Sequence, residues 1–116
     1  KPILVPIPLH KNRLLKRGYN HSELLAKGLS EKLNLALLDI LERTKDTKSQ
    51  FGLNLKKRKE NIKDAFTISP NNPVTQFPNI LLVDDILTTG STLLEAARIL
   101  KKNGAKKVWG LTLARD

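Results

Sequence analysis

Apolar and polar positions follow distinct rhythms along the chain. Ile80-Leu81-Leu82-Val83 is a continuous apolar run that stops at Asp84-Asp85, the pattern of a strand buried on both faces of a parallel sheet. After the turn Leu87-Thr88-Thr89-Gly90-Ser91-Thr92, the residues Leu93, Ala96, Ala97 and Leu100 recur at helical spacing, which predicts a helix. Thr92 and Glu95 are spaced as a capping box at its start, Lys101 and Lys102 suit the negative end of its dipole, and Gly104 suits a left-handed stop. Val108–Leu113 predicts the next strand.

Upstream, Ile3–Leu9 reads as a short strand that breaks into a loop, because Pro6 and Pro8 cannot donate to an interior ladder. A basic loop with His10, Lys11, Arg13, Lys16 and Arg17 leads to Asn20 and Glu23, spaced as another helix-starting box. Leu24, Leu25, Gly28, Leu29 and Leu33 then predict a helix over 21–34, and Leu35–Leu41 a strand. From Arg43 to Lys63 apolar residues are few, and eight basic residues face two acidic ones, Asp46 and Glu60. That stretch predicts an exposed, flexible loop arm, taken as 43–66. Strand, helix, strand, arm, strand, helix, strand is an α/β order with parallel crossovers, so one domain over 1–116 with a thin four-stranded sheet is expected. The chain opens on a strand and stops just past another, so the sheet is expected to be truncated, one flank trimmed away or supplied by another segment.

Composition agrees with a single globular domain: 116 residues, 40% apolar and 28% charged. No apolar run approaches the roughly 18 residues of a membrane span. The chain has no cysteine and two histidines, which removes disulfides, thiol catalysis and thiolate zinc sites. No protein metal centre is expected, and a reducing cytoplasm is the expected compartment. The formal net charge is +10, which points to an anionic partner. Lys11, Arg13, Lys16 and Arg17 with the 43–63 arm carry that whole excess.

Candidate chemistry concentrates where the apolar run ends. A strand's carboxyl end is where open α/β sheets bind ligands. Amides of a Gly-containing turn entering a helix, with the helix dipole behind them, suit a phosphate monoester, and hydroxyls of Thr88, Thr89, Ser91 and Thr92 can donate to the same oxygens. Asp84 and Asp85 would repel a phosphate but accept from two vicinal hydroxyls, so the combined pattern suits ribose 5-phosphate.

The thirteen residues Ile80-Leu81-Leu82-Val83-Asp84-Asp85-Ile86-Leu87-Thr88-Thr89-Gly90-Ser91-Thr92 resemble the phosphoribosyl-pyrophosphate motif of type I phosphoribosyltransferases. Beyond them, Val5-Pro6-Ile7-Pro8-Leu9-His10, Arg17-Gly18-Tyr19-Asn20, Leu24-Leu25-Ala26, Ala65-Phe66 and Leu111-Thr112-Leu113-Ala114-Arg115 resemble the ComF/GntX branch, which is associated with DNA uptake in natural competence. The Cys-rich amino-terminal zinc ribbon of that branch is not in this sequence. The resemblance implies that Asp84 and Asp85 hold the ribose hydroxyls, and that Thr88, Thr89, Gly90, Ser91 and Thr92 hold the 5-phosphate. It also implies that Mg2+ is carried mainly by the pyrophosphate of the ligand. Lys11 and Arg13 are the candidates for gripping pyrophosphate, with His10 beside them. In the arm, Arg43 and Lys48 would neutralise the departing charge as the loop closes.

Lys56-Lys57-Arg58-Lys59 cannot all meet one pyrophosphate, so they are candidates for the backbone of single-stranded DNA. Two readings follow. One is a phosphoribosyltransferase with an unidentified acceptor. The other is a module that binds phosphoribosyl pyrophosphate, single-stranded DNA or DNA-uptake proteins without turnover. A response-regulator receiver is excluded, since its acidic pair belongs to the first strand and a late Lys is required.

Overall fold

A computed structural model describes residues 1–10, 14–16, 18–44, 54–69, 78–87 and 90–115. The elements are β1 (Ile3–Pro6), α1 (His21–Leu33), β2 (Leu41–Arg43), α2 (Leu55–Ile62), β3 (Phe66–Ile68), β4 (Asn79–Leu87), α3 (Ser91–Lys102) and β5 (Lys107–Arg115). This is an α/β fold with helices flanking a parallel sheet, as the patterning predicts.

The parallel sheet has the order β1-β4-β5, with Ile3 opposite Ile80 and Asn79 opposite Lys107. Period-two alternation divides the core between its faces. Ile3, Val5, Ile80 and Leu82 join Ala96, Ile99 and Leu100 of α3 on one side, while Leu4 and Val83 join Ala26 of α1 on the other.

Two expectations about the sheet are corrected. Leu35–Leu41 is not a fourth strand: it makes one parallel bridge, Leu37 to Leu4, and its regular pairing begins only at Leu41. The backbone of Leu4 bonds Ala36 and Leu38, and the segment then leaves the sheet. β2 and β3 instead form a separate antiparallel pair, Arg43 opposite Phe66, whose Leu41 and Phe66 enter the α3-side core. The exposed arm is also more structured than its composition implies. Residues 55–62 form α2, which packs on α3 through a buried Ile62, 2% exposed. A buried apolar residue at the end of a lysine-rich stretch leaves almost no periodic signal.

Helix ends show how local rules were obeyed or overridden. Asn20 caps α1 by accepting from the Ser22 amide, and Asn34 closes it in the left-handed region at φ 55°. Yet the buried stripe of α1 runs through Ser22 and Ala26, leaving Leu24 and Leu33 more than half exposed. On α3 the predicted apolar face is correct and Gly104 takes φ 115° past its end. The predicted Thr92–Glu95 box does not form. The cap residue is Gly90, and Glu95 instead accepts twice from Arg98 (2.9 and 2.6 Å) and from the amide of Asp64 (3.0 Å).

Asp64 itself sits in the left-handed region at φ 56° and accepts from Arg98 at 3.0 Å. This three-residue network ties the α2–β3 corner to α3. The bonds from Arg98 hold the Glu95 carboxyl below its usual range. Because the folded pKa is depressed, the stabilisation is present at neutral pH and is lost as pH falls through the folded value. Glu95→Gln is therefore expected to lower Tm at pH 7, with the difference closing in acid; a Tm gap that is constant with pH would contradict the network's ionic character.

Candidate functional site

The site is built where β1 ends and β4 continues. Pro6 pairs with Val83 and the Ile7 amide donates to the Val83 carbonyl at 2.9 Å, which closes the β1 ladder. β4 runs on, Asp84 opposite Thr112 and Leu87 opposite Arg115. The acid pair therefore lies within the strand, which continues past the apolar run to Leu87. β5 supplies the pairing that keeps this extension regular, so polar side chains at the sheet's carboxyl rim are held by a continuous ladder.

Asp84 is only partly exposed and its Oδ1 is bonded twice, by the Asp85 amide at 2.9 Å and by Ser22 Oγ at 3.1 Å. Burial, reinforced by the neighbouring Asp85 carboxyl, pushes the Asp84 pKa up to about 6, against the opposing donors. Sequence reasoning did not single out Ser22. Its only signal was proximity to the cap Asn20, whose Oδ1 accepts from the Ser22 amide while its Nδ2 donates to Ile7 O at 3.1 Å. One asparagine thus fastens the start of α1 to the end of β1, and this places Ser22 over Asp84.

Gly90 stands at the N-terminus of α3 with φ 81° and ψ 0°. A side-chain-bearing residue there would adopt a conformation costing roughly 1–2 kcal/mol. Glycine brings no side-chain acceptor of its own to the first turn of α3. Ser91 follows, 6% exposed, and Thr92 lies within the first turn.

The other predicted residues divide three ways. His10 and Arg43 are brought together: with Pro8, Leu9, Leu41 and Glu42 they line a cleft of about 290 Å³, and the Arg43 guanidinium lies 5.3 Å from the Phe66 ring centroid. Lys56 and Lys57 stand exposed on α2; the backbones of Arg58 and Lys59 belong to the same helix. Lys11, Arg13, Lys48, Thr88 and Thr89 lie outside the described residues. The positive charge is also less confined than the sequence sums imply. Lys101, Lys102, Lys106 and Lys107 are all exposed at the opposite, amino-terminal rim, where the Lys106 and Lys107 amides bond Pro78 O.

An acid pair on the carboxyl-end extension of a parallel strand, followed by a left-handed glycine that opens the next helix, is the arrangement the fold presents. Residues 14–116 match the family described as phosphoribosyl transferase domain, and the chain belongs to that family. Within it the chain is ComF-like. It is 40% identical over 114 residues to Competence protein F of Haemophilus influenzae, covering 96% of this chain and 50% of that protein. DNA utilization protein YhgH of Escherichia coli K12 is 40% identical over 111 residues, 93% of this chain and 48% of the relative. Competence protein ComFC of Bacillus subtilis is 38% identical over 115 residues, 98% and 45%. The chain spans about half the length of these curated relatives. Among the described residues no helix is long and apolar enough to cross a membrane.

Proposed function

We propose that this domain binds phosphoribosyl pyrophosphate with Mg2+ at the carboxyl rim of the sheet and transfers the phosphoribosyl group with release of pyrophosphate, in the service of DNA uptake. The observation that carries the reading is the placement of Asp84 and Asp85 on the β4 extension immediately before the left-handed Gly90 that opens α3. Carboxylates there accept from ribose hydroxyls, and the turn and helix end receive the 5-phosphate. His10 and Arg43 face the pyrophosphate from their shared cleft. The same reading keeps the domain in the cytoplasm.

Magnesium fits this site as a passenger of the ligand. Among the described residues no three His, Cys, Asp or Glu side chains group to hold a metal ion, and Asp84 Oδ1 is already bonded twice within the protein. Two adjacent carboxylates suit the water molecules of a hydrated cation better than a closed cage. The ion supplies charge neutralisation for the leaving pyrophosphate. The chain's own residues orient the ribose: two carboxylates fix its hydroxyl edge while the helix end fixes its 5-phosphate. As positive charge develops on carbon 1 of the ribose, a carboxylate pair on its hydroxyl edge favours it.

Titration calorimetry with phosphoribosyl pyrophosphate, with and without Mg2+, tests binding, and pyrophosphate release with a panel of nucleobases and amines tests turnover. Saturable, Mg2+-dependent binding is the expected result. Heat indistinguishable from dilution would overturn the site.

A second reading concerns the same domain's basic surface. Exposed Lys56 and Lys57 on α2, with relatives named for DNA utilization and competence, support contacts to the backbone of single-stranded DNA. Lys56→Glu with Lys57→Glu is expected to weaken oligonucleotide binding and flatten its dependence on log salt by about 0.7 per lost contact. An identical salt slope for both proteins removes α2 from that role.

A further inference from the structure

One oxygen of the Asp84 carboxylate, Oδ1, is held by two donors of the protein. Oδ1 takes the Asp85 amide and the Ser22 hydroxyl. The first donor comes with the strand itself and would accompany any Asp-Asp pair in this backbone. The second comes from another element, 62 residues away, and needs α1 to begin where it does. Ser22 is 4% exposed, so its hydroxyl has little alternative in water, and the Asn20 bridge to Ile7 holds the helix start in place.

We propose that Ser22 is the positioning residue of the site: by bonding Oδ1 it fixes the carboxyl rotamer in which Asp84 meets a ligand hydroxyl. The proposal deepens the ligand reading above and rests on it for the identity of the hydroxyl. The link between Ser22 and Asp84 stands on geometry alone.

The electrostatic surroundings make the link measurable. Burial and Asp85 push Asp84 towards its neutral form; the Ser22 hydroxyl and the Asp85 amide oppose them. Beside Asp84, β5 places the uncharged Thr112, and β1 has already ended at Pro6 opposite Val83. The titratable residues flanking Ser22 on α1 are His21, whose Nε2 is hydrogen-bonded with Tyr19 Oη at 3.2 Å, and Glu23. Removing one donor from a carboxylate that burial already disfavours must raise its protonation midpoint.

Ser22→Ala isolates the hydroxyl. The helix cap uses the backbone amide of Ser22, so Asn20 still caps α1 in the variant, and alanine is a good helix former. Two readouts decide the matter. In ligand-free protein, the carboxyl carbon of Asp84 is followed by NMR as a function of pH; the midpoint is expected near 6 in the parent and about half a unit to one unit higher in Ser22→Ala. Equal midpoints would overturn the proposal.

With phosphoribosyl pyrophosphate and Mg2+, the affinity deficit of Ser22→Ala is expected to be several-fold near pH 6 and to narrow towards pH 8, where Asp84 is ionised in both proteins. A deficit that does not change with pH marks a merely structural residue and also overturns the proposal. Should the parent fail to bind the ligand at any pH, the ligand reading falls, while the ligand-free titration still decides the role of Ser22.

Discussion

Asp84→Asn combined with Asp85→Asn is expected to weaken phosphoribosyl pyrophosphate binding by about a hundredfold or more, and to raise Tm at neutral pH. The first half follows from hydrogen bonds to charged acceptors, worth about 1.5–3 kcal/mol each, where every 1.4 kcal/mol is tenfold in affinity. The second half follows from burial. Asp84 ionises near pH 6 in the folded chain against 3.8 for an unperturbed group. At pH 7 the folded state therefore carries a carboxylate that the unfolded state would ionise more readily, a cost on the order of 2 kcal/mol. Asparagine keeps an oxygen for the Ser22 hydroxyl and the Asp85 amide but has no charge to desolvate.

The sign with pH is definite. A raised folded pKa makes the parent relatively more stable as pH drops from about 6 towards 4, so the variant's Tm advantage should close over that window. Calorimetry with ligand and thermal melts across pH check both halves. Unchanged affinity would remove the acid pair from the site, and a lower Tm at pH 7 would mean that the pair stabilises the fold.

Phe66→Ala is the largest expected effect on stability, a loss of about 3–5 kcal/mol. Phe66 is 2% exposed. It is packed in one cluster with Ile40, Leu41, Ile62 and α3 residues, and it stands opposite Arg43 in the β2–β3 pair. Against a total of about 5–15 kcal/mol for a domain, that loss should bring the urea midpoint down sharply with little change in slope. The same substitution removes the ring under the Arg43 guanidinium, so the Arg43 cleft should loosen before the parallel sheet does. Hydrogen exchange would show this as faster exchange at residues 41–44 and 66–68 than at β4. A loss under about 1 kcal/mol would mean that the hairpin is not anchored in the core.

Much of this protein is legible in its residue pattern. The run Ile80–Val83 has to be a buried parallel strand because it lacks a polar face. Leu93, Ala96, Ala97 and Leu100 can share a face only on a helix, and the Asp-Asp pair before a Gly-containing turn is what singles out this rim as the candidate site. The α/β class, the strand β4 and the helix α3 all follow from local periodicity. These signals are short-range, so a linear reading captures them.

Other features depend on which elements meet. Leu35–Leu41 has the composition of a strand, yet the sheet accepts only one bridge from it; Phe66, a lone aromatic in sequence, draws Leu41 and Arg43 into a second sheet. α1 buries Ser22 and Ala26 rather than Leu24 and Leu33, because small residues allow the helix to lie close over β1 and β4. Glu95 forgoes a capping role for Arg98 and Asp64, since a bidentate charged partner outweighs one backbone amide. Ser22 reaches Asp84 across 62 residues, a pairing that exists only once β1, α1 and β4 have packed. Residue types and periodicity single out the acid pair and the start of α3; how that carboxylate is held, and how strongly it resists ionisation, comes from burial and from contacts between distant segments, which no local pattern encodes.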